Sequence, residues 1–404
     1  MDGMKSLPST CRAIRARWHV SGLGFRSKSM KSPLPPLRPR PLRLGFLPLT
    51  DAAPLIVAQE LGVFTRHGLA VSLQREAGWA TIRDKVLYGE LDAAPAPAPM
   101  LWSAQLGLGC APGDVLTALV FNLHGNALTL SRALRDEGVR DAASLRSIAK
   151  SRRGERRLTF GVVFPYSSHH LLLRQWLLGA GIDPEVDVRI AIVPPAQMFR
   201  NLLAGTIDGF CAGEPWGSVA VQAGAGWCPT WSASHSPGHV EKVLMVRRRF
   251  AEQRADEHAA LVAALTEACA WCDDPGHREE LIPLLSGAAY LNLRAAAIAP
   301  ALRGRFDAGC GRVESTPDFL VFHRGEANVP TAAKAAAIQA ELRAAHLLPA
   351  GVDPALPGRL FREDLHRDAL ARRASSPAGD PAGNASDREA VERRIVPGAR
   401  FAPA

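Results

Sequence analysis

A strand end, a proline turn, two serines and two histidines follow one another in Phe164-Pro165-Tyr166-Ser167-Ser168-His169-His170. LLLRQW continues this run as a helix, so both histidines fall in its first turn. Free backbone N–H groups at a helix start attract anions, and an imidazole there adds a side-chain donor. The alternative is a pair of ordinary cap or surface residues. Lys242, in His239-Val240-Glu241-Lys242-Val243-Leu244, begins a strand. Its three N–H groups and full charge suit a small oxyanion, against the commoner use of lysine as an exposed partner of a neighbouring acid. Trp79, in Gly78-Trp79-Ala80-Thr81, can lay an indole beside a flat ligand or fill the core. Asn126, beside Gly125, can donate an amide N–H or close a turn.

Other motifs exclude more than they suggest. Glu214, in Gly213-Glu214-Pro215-Trp216, follows a strand at the carboxyl end, where open α/β sheets bind ligands, and reads as a hinge or interlobe hydrogen bond before a general acid or base. Cys269-Ala270-Trp271-Cys272 ends a long helix, whereas a redox pair belongs at a helix start, where the dipole lowers the thiol pKa. Gly107-Leu108-Gly109-Cys110 is an incomplete dinucleotide fingerprint. No paired zinc motif, Walker loop or nucleophile elbow appears, so none of these motifs calls for a metal or cofactor.

Positioning these groups requires the elements around them. Short apolar, strand-like runs lie at 42–49, 70–73, 91–94, 115–121, 127–130, 158–164, 188–193, 209–212 and 243–246, mostly with helical periods between them. Thr50 or Asp51 can cap the helix after the first. Strands spaced by crossover helices predict parallel sheets covered on both faces. After Phe250 the pattern is almost wholly helical, at 257–272, 277–285, 293–302 and 331–347. The expected organisation is a basic arm at 1–41, a first lobe at 42–131, a second lobe at 132–242, a return to the first at 243–366, and an unstructured tail at 367–404 rich in Ala, Arg, Ser and Pro.

The 404 residues carry a net charge of +9, but residues 1–43 hold ten Lys or Arg against Asp2 alone, so the remaining 38 bases and 38 acids cancel. The high pI therefore marks an arm and gives no reason to expect direct nucleic-acid binding. No run approaches the roughly 20 apolar residues of a membrane span. Arginines interrupt every stretch near the N-terminus that could serve as a secretory h-region, and seven dispersed cysteines do not form a disulfide framework. Both observations favour a cytoplasmic location, with the periplasm as the alternative if the start is misassigned.

Several phrases together resemble one family: GFLPLTDAAPLIVAQELGVF (45–64), REAGWATIRDKVLYGELDAA (75–94), HGNALTLS (124–131), VVFPYSSHHLLLRQWLLGAGIDP (162–184), VPPAQMFRNLLAGTIDGFCAGEPW (193–216) and EKVLMV (241–246). They are similar to nitrate-binding proteins of the NrtA and NasS type. The resemblance covers 42–366 and implies a two-lobe, periplasmic-binding-protein-like type II α/β fold with the ligand in the interlobe cleft. The positions matching the family's ligand contacts are Trp79, Asn126, His169, Pro195 and Lys242. Bicarbonate-binding relatives place an acid where Lys242 stands and enlist calcium, so Lys242 implies a monoanion, nitrate or nitrite, without metal. The resemblance also implies a partner. For a cytoplasmic sensor this is an antiterminator of the NasT type; for the alternative, a transport subunit, it is an ABC permease and its ATPase. An enzyme on the same fold is a remote third reading.

Overall fold

The computed structural model describes residues 40–375 apart from residue 155. The expected arm, up to residue 39, and the tail beyond residue 375 lie outside the described residues. The first lobe begins with β1 (Leu42–Phe46), β2 (Val71–Arg75), β3 (Ala93–Pro97), β4 (Val115–Leu116) and β5 (Val120–His124). The chain then crosses into the second lobe as β6 (Asn126–Ser131), β7 (Leu158–Val162), β8 (Val188–Ile192), β9 (Gly209–Gly213) and β10 (Gly226–Trp231). It returns through β11 (Val240–Arg247), adds the hairpin β12 (Arg305–Asp307) and β13 (Val313–Ser315), and contributes β14 (Leu320–Val321).

The first sheet runs β14-β5-β11-β3-β1-β2 with β4 beside β11, and the second runs β10-β6-β9-β7-β8. Neither is purely parallel. β1 is parallel to β2 and β3, but β11 is antiparallel to β3, β4 and β5, and β6 is antiparallel to β9 and β10. The physical reason lies in the two lobe crossings: a strand arriving from the other lobe enters against the βαβ winding direction. The crossing itself falls at Gly125, six residues ahead of the boundary expected at 131, because β6 belongs wholly to the second sheet. Gly125 has φ +102, and a Cβ there would lie 2.8 Å from Leu320 Cδ2, so only glycine makes this turn without strain. The return crossing likewise precedes β11, ahead of the boundary at 242.

Three apolar clusters hold the molecule. One packs β1, β5 and β11 against the long helix Ala255–Asp273 through Leu44, Phe121, Leu244, Val262 and Leu265. Another fills one face of the second sheet through Leu130, Phe160, Leu173 and Leu177. The third spans both lobes, joining Trp79 and Trp102 to Phe164, Leu171 and Trp216. At about 1.5–3 kcal/mol per fully buried large side chain, this shared cluster presses the lobes together. The tail does not begin at 367, since the helix Glu363–Ser375 runs on through Ala371. It is seated on the core by buried Ala369, by a 2.9 Å hydrogen bond from His366 Nδ1 to the Ala118 carbonyl, and by Arg372 paired with Asp256. A disordered reading from composition overlooked that apolar face.

Candidate functional site

Trp79, Asn126 and His169 sit where an element starts, whereas Lys242, expected to open a strand, is the third residue of β11. Trp79 is the first residue of helix Trp79–Tyr88, after an extended Gly78. Asn126 opens β6, its N–H donating to Ser232 Oγ at 3.1 Å. His169 is the second residue of helix Ser168–Gly179, whose cap Ser167 accepts from the His170 N–H at 3.3 Å and donates to the Phe164 carbonyl at 2.7 Å. His170 is spent on the Pro165 carbonyl at 2.7 Å and takes the cap role left open for it. Lys242 lies in β11, between the two lobes.

The structure brings Trp79, Asn126, His169 and Lys242 around one buried point. Lys242 is fully buried, its Nζ 5.1 Å from the centre of the Trp79 ring, a cation–π contact. Nζ donates to Glu241 Oε1 at 2.6 Å and pairs with Asp51 Oδ2 at 2.9 Å. Glu241 is the hub. Its Oε2 accepts from Asn126 Nδ2 at 2.6 Å and faces His239 Nε2 at 3.3 Å, while Oε1 lies 3.5 Å from His169 Nε2. Pro195 is buried at the start of the 3-10 turn after β8. Having no N–H, it adds no donor.

Burial opposes charge here, and partners decide the balance. It alone would pull Lys242 down, yet Asp51 and Glu241 hold it above the usual lysine value. Glu241, also opposed by burial, is held well below the carboxylate range by Lys242 and the neighbouring histidines. For Asp51 burial wins over Lys242 and raises its pKa. Burial lowers His169 to about 3, so this imidazole is neutral. Polar atoms without a hydrogen-bond partner around the cluster include Trp79 Nε1, Thr50 Oγ1, Ser168 Oγ, both His169 nitrogens and, as an acceptor, Asn126 Oδ1. Buried donors are rarely left this way. A cavity of about 170 Å³ touches Ser168 and His239.

Asp51, Glu241 and His239 were not expected. Asp51 was read as a helix cap, but no side-chain cap hydrogen bond forms at this helix start and its carboxylate turns to Lys242. Its position just beyond the carboxyl end of β1 was the available signal. Strand alternation separates Glu241 from Lys242, but the pairing of β11 with β5 slips on both sides of Lys242, and both side chains are buried in one cluster. Glu214 does make an interlobe hydrogen bond, its carbonyl accepting from the Thr50 N–H at 2.9 Å. Its buried carboxyl accepts from the Ser218 N–H at 3.1 Å and has its pKa raised by burial to about 7. The folded state therefore binds this proton more tightly than the unfolded chain, and stability is lost as pH rises from about 4.5 to 7. Glu214→Gln is expected to flatten that limb and gain about 3 kcal/mol at pH 8, read by urea unfolding. Cys269 and Cys272 are fully buried with thiol pKa values pushed up, which removes the reactive-thiolate reading.

A sequence model described as the NMT1-like family matches residues 36–286. The chain belongs to the NMT1-like family. Within it, the nitrate/nitrite binding protein NrtA of Synechococcus elongatus is 32% identical over 84% of this chain and 80% of its own length. The bicarbonate transport ATP-binding protein CmpC of the same species is 43% identical over 62% of this chain. The chain spans about two fifths of the length of that relative. Among solved structures, the periplasmic nitrate-binding protein NrtA of Synechocystis superposes with a TM-score of 0.79 at 29% identity, over 83% of this chain and 89% of that one. This NMT1-like chain thus has the two-lobe periplasmic-binding-protein-like α/β fold, its clustered residues lying where the lobes meet. Among the described residues no helix is long and apolar enough to cross a membrane.

Proposed function

We propose that the chain is a non-enzymatic solute-binding protein that closes its lobes over nitrate or nitrite. One observation carries this: a fully buried lysine is surrounded by buried donors without partners, namely Trp79 Nε1, Thr50 Oγ1 and the His169 ring. A small planar oxyanion, with three acceptor oxygens in nitrate and two in nitrite, uses such donors. Lys242, His169, Asn126 and Trp79 are the ligand-facing groups of this reading. Lys242 in place of an acid favours an anion bound without metal. Calorimetric titration with nitrate, nitrite, bicarbonate and sulfate is expected to show binding of the first two and none of tetrahedral sulfate. No heat with nitrate or nitrite would overturn the reading.

One relative is named as a nitrate/nitrite binding protein and another as a bicarbonate transport ATP-binding protein. That supports delivery of the anion to an ABC permease and its ATPase over the nitrate-responsive control of an antiterminator expected from the sequence. A delivery role places the mature protein in the periplasm, which cell fractionation reads directly. Recovery with the cytosol, together with co-purification of an antiterminator released by nitrate, would restore the sensor role.

A further inference from the structure

We propose that Asp51 enters the site as a carboxylic acid, so that the anion binds together with one proton and the Asp51 O–H donates to an anion oxygen. This rests on the anion-binding reading. Lys242 already faces two carboxylates, Asp51 at 2.9 Å and Glu241 at 2.6 Å. His169 adds no charge, because burial keeps it neutral. A monoanion within reach of Nζ would thus be a third negative group around one cation. Like charges held this close in a buried site repel by more than one charged hydrogen bond returns. Neutralising one carboxylate removes that repulsion.

Geometry selects Asp51. Glu241 accepts from Lys242 and Asn126 and faces His169 and His239, so protonating it would strip an acceptor from several groups at once. The Asp51 side chain has Lys242 as its single partner among the described residues, through Oδ2, and its Oδ1 is open to carry a hydrogen. Burial and the Glu241 charge act in the same direction, raising the Asp51 pKa. The other titratable groups near the cluster are Glu214, raised by burial to about 7 and joined through its carbonyl to the Thr50 N–H, His239, His124 with its ring tilted against that of His239 at 5.2 Å and held toward neutral by burial, and the Cys211 thiol, pushed up by burial. The proton comes from solvent and returns to it when the anion leaves.

The test is calorimetry of nitrate binding to the full chain in Tris and bis-Tris, whose ionisation enthalpies differ, at several pH values. The wild type is expected to take up about one proton per nitrate, its affinity falling about tenfold per pH unit between pH 7 and 8. Asp51→Asn supplies an amide donor without needing a proton. This variant is expected to take up none, to lose the pH dependence, and, because uptake of about one proton at pH 7 means that Asp51 is nearly all ionised there, to bind at least about a hundredfold more tightly than wild type at pH 8. Nitrate binding without proton uptake in the wild type would overturn the proposal, and that measurement needs no variant to fold. Uptake that persists in Asp51→Asn would also overturn it, assigning the proton to Glu214 or a histidine. No binding of nitrate at any pH would instead overturn the anion-binding reading itself.

Discussion

Replacing Lys242 with methionine is expected to abolish nitrate binding and to lower the unfolding free energy by about 3–5 kcal/mol. The stem is nearly isosteric, so packing against Trp79 is retained and the loss is electrostatic. Without Nζ, Asp51 and Glu241 become buried carboxylates facing each other with no cation between them. Each must then stay ionised at a large desolvation cost or take up a proton. The destabilisation should therefore shrink as pH falls and both carboxylates protonate, a pattern that simple loss of packing would not give. Urea unfolding at pH 8 and pH 5, alongside calorimetry, reads both effects. Nitrate affinity within threefold of wild type would show that Lys242 is no ligand.

His169→Gln is expected to act on the acid side. In the folded protein this ring is fully buried and its pKa is about 3, whereas in the unfolded chain it titrates near 6.5. The unfolded state therefore binds more protons between those values. The stability present above pH 6.5 is lost as pH falls toward 3, by about 5 kcal/mol in full. Glutamine removes that loss, so the variant should unfold over a shallower acid limb than wild type. His258, lowered by burial to about 4, leaves part of the slope in place. Glu214 works in the opposite sense between about 4.5 and 7, but it does so in variant and wild type alike and cancels from the difference between them. The same variant should weaken nitrate binding at pH 7, where the wild-type ring is neutral. An unchanged acid limb would mean that the ring is solvated in solution.

Much of this was legible from residue order. Ser167, the two histidines and the apolar run after them state a capped helix start, and the structure builds that helix. Lys242 was legible as a cation of this strand, though the strand opens two residues earlier, at Val240. Its partners were hidden, because a two-residue alternation rule sends Glu241 to the far face and only the slip in β11 pairing brings it back. Asp51 was hidden by a local pattern that is also a good helix cap, and only the folded lobes show which use is taken. β10 was missed because Gly226, Pro229 and Thr230 dilute its apolar signal; its two tryptophans are buried by β6 and by β12 and its neighbours. Strand direction could not be read locally at all, since β6 and β11 take theirs from the lobe crossings.

The most direct measurement is a crystal structure of the full chain grown with nitrate. The expected result is a planar, three-oxygen density between the lobes, within hydrogen-bond distance of Lys242 Nζ, Trp79 Nε1 and a His169 nitrogen, with Thr50 and Asp51 at its edge. Nitrate found only on the surface, or an interlobe site in which those nitrogens remain unpartnered at saturating nitrate, would contradict the account.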